Sequence, residues 1–304
     1  MAISRTQLVK ELEPGLNALF GLEYKRYENQ HAEIYTTESS DRAFEEEVML
    51  SGFANAQVKA EGQGVSFDTA QETYTARYTH DTVALAFAIT EEAIEDNLYD
   101  RLASRYTKAL ARSMSNAKQV KAAKPLNDGL PSVDNFDSGD GVSLFSTNHA
   151  TVSGTAVKNT LTTQADLNET SLEQALVDIA GMSDERGLRV AARAMKMIVP
   201  SANQFTAERL MKSQGRVGTA DNDINAVVSM GMVPQGYRVN NFLTDTDSWY
   251  IITDVPNGMK MFQRAALKTA MEGDFDTGNV RYKARERYSF GVSDFRGIFG
   301  CEGA

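Results

Sequence analysis

A run of thirty-five residues without glycine or proline, Thr90–Lys124, constrains this chain more than any other stretch. Apolar or small residues recur at Ile94, Leu98, Leu102, Tyr106, Ala109, Ser113, Ala117 and Val120, in steps of three and four that draw one stripe along a helix. Thr90 can cap the first turn, Glu91 and Glu92 meet the positive end of the dipole, and Pro125 marks the expected stop. At 1.5 Å per residue such a helix spans roughly 50 Å, the width of a whole domain, in about ten turns where three or four are usual. Its charges are segregated: Glu91, Glu92, Glu95, Asp96 and Asp100 crowd the start, and Arg101, Arg105, Lys108, Arg112, Lys118, Lys121 and Lys124 follow. The spacing predicts a rod that carries a sheet on one side and meets other subunits along the other.

The stretch before it is the second constraint. Gly62-Gln63-Gly64 signals a turn, and an alternating run follows. Tyr74, Ala76, Tyr78 and His80 share one face, Thr75, Arg77, Thr79 and Asp81 the other, and Val83, Leu85, Phe87 and Ile89 then form an apolar face. This predicts a long hairpin over 55–89 with a buried base and a polar tip, roughly Glu61–Tyr78, that another copy must support, because a two-stranded ribbon is marginal in water.

The remaining segments read more briefly. Residues 1–30 predict an arm whose helical spacing (Leu8, Val9, Leu12, Leu16, Leu19, Phe20) is interrupted by Pro14-Gly15. Asp41–Leu50 reads as a short acidic helix. Asp128–Ala165 is a long polar loop containing Leu144-Phe145-Ser146-Thr147-Asn148-His149. Helices are expected at Ser171–Met182 (Leu172, Ala175, Leu176 and Ile179 inward) and Asn203–Lys212 (Phe205, Leu210 and Met211 inward). Strands are expected at Met195–Val199, Ala226–Met232, Arg238–Asn241, Trp249–Thr253 and Lys260–Phe262, with Val280–Arg287 and Phe290–Gly300 as a closing hairpin. Strands flank the helices without a β-α-β beat, which predicts an α+β fold.

Composition excludes more than it proposes. The net charge of −10 argues against a general nucleic-acid binder, which needs a surplus of Lys and Arg. The single cysteine, Cys301, cannot form an intrachain disulfide, so a reducing compartment is expected. The N-terminus lacks a signal-peptide core and no run approaches eighteen apolar residues, which predicts a soluble intracellular protein without a membrane partner. His31, His80 and His149 have no metal-binding spacing, and no nucleophile elbow or phosphate-binding loop is present. Neither catalytic residue, cofactor nor metal is therefore expected, and His149 is the one residue worth testing as a base. Arg281, Lys283, Arg285 and Arg287 alternate along one strand as a basic row, whose expected partner is the acidic helix start.

The succession "DRAFEEEVMLSGFANAQVKAEGQGVSFDTAQETYTARYTHDTVALAFAITEEAIED", then "LFSTNH", then "RYKARERYSFGVSDFRGIFG" resembles the major capsid (head) proteins of tailed bacteriophages and prophages, including Mu-like head subunits. The resemblance covers about residues 35 to 300. It implies a Hong Kong 97-type fold with an N-terminal arm (1–40), a short helix of the peripheral domain (41–53) and an extended E-loop (54–89). The peripheral domain would follow (90–165, spine helix 90–124), then an axial domain (166–275) and a return to the peripheral sheet (276–304). It implies a subunit that assembles into hexamers and pentamers of an icosahedral virion head enclosing double-stranded DNA, put together in the host bacterial cytoplasm. The expected intersubunit contacts are Lys59, Glu61, Tyr74, Arg77, Tyr78, Glu91, Glu92, Asp96, Arg281, Lys283, Arg285 and Arg287. Further expected partners are a separate scaffolding protein, a portal and a decoration protein, with packaged DNA touched only weakly and non-specifically. Nothing marks Lys59 for covalent crosslinking. The rival readings are an encapsulin-like nanocompartment shell and, from another class, a soluble hydrolase using His149.

Overall fold

The computed structural model describes residues 5–90, 92, 99–215, 223–274 and 278–304, the side chains of 5–12 and 99–102 apart. The chain begins with helix α1 (Arg5–Arg26), which runs straight through Pro14 instead of breaking there. Proline inside a helix costs about 3 kcal/mol. Leu16 and Phe20 offset that cost by burial against the long helix and Tyr282, each worth about 1.5–3 kcal/mol.

Strand β1 (Thr36–Ser39) leads to β2 (Phe44–Leu50), where a short acidic helix was expected. The period here is two: Glu45 and Glu47 turn inward onto Ser40 and Lys260, while Phe44, Glu46, Val48 and Leu50 face out. β3 (Glu72–Thr79) and β4 (Asp81–Ile89) follow, but not as one arm of a hairpin turning at Gly62–Gly64. β3 pairs antiparallel with β2 as a separate ribbon, and β4 joins a different sheet. The alternating run is split at His80, which is buried between Ser40 and Ser289.

The long helix α2 is described over Tyr99–Asp128 and passes through Pro125 to end a turn later than expected. Its final turn is held by Leu126 and Leu130, both buried in the main core. Of the expected start of that helix, Thr90 is described and is not helical, Glu92 is helical, and Glu91 with residues 93–98 lies outside the described residues. Helix α3 (Glu169–Ala180) opens on a reciprocal cap: Asn168 Oδ1 accepts from the Ser171 N–H at 2.9 Å, and Ser171 Oγ accepts from the Asn168 N–H at 3.0 Å. Leu172, Ala175, Leu176 and Ile179 point inward as expected.

β5 (Ala194–Val199) precedes helix α4 (Gln204–Lys212), in which Leu210 is buried but Phe205 is exposed rather than core. Ala226–Met232 was read as a strand; Ala226–Ser229 is instead a one-turn helix, α5, begun by the Asn225 side chain. β6 (Tyr237–Val239), β7 (Trp249–Thr253), β8 (Met259–Gly273), β9 (Val280–Val292) and β10 (Ile298–Cys301) complete the chain. The expected closing hairpin does not form. β9 runs unbroken between β8 and β4, and the turn Phe295–Gly297 carries β10 to the edge of the other sheet.

Among the described residues two four-stranded sheets result, ordered β1-β8-β9-β4 and β10-β7-β5-β6. The first is covered on one face by α1 and α2, which enclose Ile89, Leu110, Met114, Tyr282 and Ala284. The second holds the main core around Trp249, Tyr250, Phe299 and Leu172. The polar loop after α2 lies over it and is tied down by Asn159, whose amide donates to the carbonyls of Leu144 (2.7 Å), Phe295 (3.1 Å) and Ile298 (3.3 Å). Helices and sheets are segregated, so the class is α+β, as expected.

Candidate assembly surfaces

The ribbon β2-β3 stands on the first sheet through polar contacts. Inward-facing Glu47 receives Lys260 and Ser293, and Glu45 accepts from Ser40 Oγ at 2.7 Å. Burial alone would lower Lys260, but Glu47 and Glu38 overcome it and hold the ammonium above its ordinary range. Ser40 has its proton on Glu45, so His80 Nε2 donates to Ser40 Oγ at 2.9 Å, and His80 Nδ1 accepts from Ser289 Oγ at 3.0 Å. That neutral ring agrees with a pKa lowered first by burial and then by Arg287. Tyr78 packs edge-on to Phe262 at 4.8 Å and bonds Ser293.

Residues 51–71 leave this base with no strand pairing. They carry apolar side chains into solvent: Val58 is 100% exposed and Phe67 99%, and Phe53 and Val65 are also exposed. The outer face of β2 adds Phe44, Val48 and Leu50. The loop and the outer face of the ribbon thus both present apolar side chains to solvent.

The residues expected at subunit contacts separate accordingly. Lys59 and Glu61 lie in the exposed loop. Arg77 is exposed, its guanidinium over the Phe44 ring at 4.1 Å and near Glu46 at 3.8 Å. Tyr74 is half-buried, its hydroxyl donating to the Ser293 carbonyl, and Tyr78 is enclosed by its own chain, so the expected projecting tip shortens to about 51–71. Glu92 is exposed, while Glu91 and Asp96 fall outside the described residues. Arg281, Lys283 and Arg285 are exposed and Arg287 half-buried, all on the face of β9 opposite the helices. The exposed apolar residues of β2 were missed because its three consecutive glutamates read as helix; the alternation Phe44, Glu46, Val48, Leu50 was the available signal.

His149 is not placed for catalysis. It has no exposed surface, its ring stacks on Phe295 at 3.8 Å, Nδ1 meets Asp140 at 2.6 Å and Nε2 meets Asn159 at 3.1 Å. A base must reach a substrate proton, and both ring nitrogens are occupied. The His149 constellation is an internal tie between the loop and the turn before β10.

A long helix laid on one sheet, a second sheet, a small outlying ribbon and an extended loop tied to its own chain only near its end, by Arg186 at Asp68 and Thr69, define a shell-forming capsid subunit of the Hong Kong 97 type. The profile of the family described as phage capsid protein matches residues 73–300, and the chain belongs to that family as a major capsid protein. The family match favours the phage-head reading over the encapsulin-like one, and it does not single out Mu-like subunits. Similar solved structures include the capsid of an empty GTA particle (13% identity, 90% of this chain and 89% of that one, TM-score 0.55). A virus-like particle from Pyrococcus furiosus is also similar (11%, 94% and 98%, 0.54), as is the procapsid of bacteriophage JBD30 (15%, 99% and 77%, 0.52). No curated protein matches the sequence.

Proposed function

We propose that this subunit builds an icosahedral phage head from hexamers and pentamers, and that residues 51–71 of each copy lie over the next. The observation that carries this reading is the fully exposed apolar loop: Val58 and Phe67 gain nothing from their own fold, so their burial must come from a neighbour. Repeated heterologous contacts close rings, and many modest contacts around a closed shell add to a large avidity. The packaged contents would be double-stranded DNA held without tight binding, in keeping with the net charge of −10. Assembly would take place in the host bacterial cytoplasm, with a separate scaffolding protein, a portal and a decoration protein as further partners, and without catalysis by the chain.

Size-exclusion chromatography and negative-stain imaging of the purified chain test this. Particles are expected from the intact chain. A variant with residues 55–69 replaced by a short Gly-Ser linker is expected to stay folded and soluble as single subunits. Normal shells from that variant would overturn the role given to the loop.

A further inference from the structure

The face of the first sheet opposite the helices carries the basic row of β9 at roughly 6.6–6.8 Å intervals, the repeat of alternate strand residues. On β4 its cross-strand neighbours are Thr82, Ala84, Ala86 and Ala88, all exposed; on β8 they are Ala265, Lys268, Ala270 and Glu272. The cations therefore stand as a ridge between two low margins, open to an approaching backbone. Arg281 pairs with Asp274, but among the described residues Lys283, Arg285, Arg287 and Lys268 have no ion-pair partner. The Nε atoms of Arg287 and neighbouring Arg264 are buried without a hydrogen-bond acceptor. Unpaired cations gathered on one face of a chain with net charge −10 mark a surface made for something anionic.

The length of the open stretch selects the partner. Glu272 and Asp274 stand at one end, and Glu45 acts on His80 beside Arg287 at the other. Among the described residues only about 13 Å, from Lys283 to Arg287, lies between these carboxylates. A nucleic-acid backbone continuing past either end would meet like charge, whereas two or three protein carboxylates fit between. Two stretches hold five carboxylates in ten residues, 38–47 and 91–100; in the first, Glu38 and Glu47 already meet Lys260 and Glu45 meets Ser40, whereas Glu92 of the second is exposed.

Resting on the shell reading above, we infer that the Lys283–Arg287 face docks the acidic Glu91–Asp100 segment of a second copy, and that this pairing sets the register between subunits. Like charges placed at such a contact repel and oppose docking.

The test uses the full chain carrying Lys283→Glu and Arg285→Glu, followed by sedimentation and by thermal unfolding of the single subunit. The expected result is an assembled fraction reduced about tenfold or more at a concentration where the parent assembles, with unfolding unchanged. Adding Glu91→Lys, Glu92→Lys and Glu95→Lys to the same chain is expected to restore assembly. Normal assembly of the first variant overturns the inference, as does failure of the second to recover. Particles that form normally but lose retained nucleic acid would also overturn it, by assigning the row to DNA. A parent chain that forms no particles would instead sink the shell reading itself.

Discussion

The ring of Tyr78 occupies the space where a side chain on Gly291 would begin: a Cβ at that position would lie 2.6 Å from Tyr78 Cε1. Gly291 belongs to β9 and Tyr78 to the ribbon, so this contact presses the base of the projecting loop onto the sheet. Gly291→Ala must push the ring away from Phe262 and Ser293, and an overpacked core typically loses about 1–3 kcal/mol. Thermal unfolding measures the loss. Paired with Tyr78→Ala, the two changes are expected to add to less than their sum, because the first acts through the ring that the second removes.

Lys260 joins the same two parts by charge. It is nearly buried and flanked by Glu38 at 3.2 Å and by Glu47 on the ribbon. Lys260→Met leaves two carboxylates without their cation, and the half-exposure of Glu38 discounts the penalty to about 2 kcal/mol. Limited proteolysis checks the location of the effect: cleavage within residues 44–79 is expected to quicken, with α2 and α3 protected as before.

His31 should make stability fall in acid. It is buried beside α2; Gln119 Nε2 donates to its Nδ1 at 2.9 Å, while Gln119 Oε1 accepts the His31 backbone N–H at 3.0 Å. Burial first, then Lys118, pushes its pKa down to about 4. Between that value and the ordinary 6.5 the unfolded chain binds a proton that the folded chain refuses, so stability rises with pH across this window and is fully present above it. The contribution is on the order of 2–3 kcal/mol. Unfolding of the parent and of His31→Gln, followed from pH 7 to pH 4, should show a shallower decline in the variant.

Val58 and Phe67 should separate assembly from folding. Their complete exposure means that Val58→Ser with Phe67→Ser removes no intramolecular contact, so subunit unfolding should stay within about 0.5 kcal/mol of the parent. The critical concentration for particle formation is expected to rise at least about tenfold, since two apolar side chains no longer gain burial on a neighbour. Light scattering across a dilution series measures it.

Local sequence determined the elements whose evidence is periodic. The helical character of α2, the inward set Leu172, Ala175, Leu176 and Ile179 of α3, the short strands β5 and β7, and the one-sided basic row of β9 all follow from side-chain spacing. The stripe expected on α2 is not its buried face: Tyr106, Ala109, Ser113 and Val120 are exposed, and Ala103, Thr107, Leu110, Ala111, Met114 and Lys118 are buried instead. Tertiary structure decided where a partner outweighed propensity. Glu45-Glu46-Glu47 is strand because β3 pairs beside it and Ser40 and Lys260 receive its inward carboxylates. Helix α1 survives Pro14 because Leu16 and Phe20 find α2 and β9. β10 leaves β9 for β7, and His80 divides one alternating run between two sheets. Apart from the local Ser40–Glu45 bond, those outcomes depend on contacts between residues distant in the sequence, up to Leu16 and Ala284 in one core cluster, and a local pattern states which face is apolar without naming what will cover it.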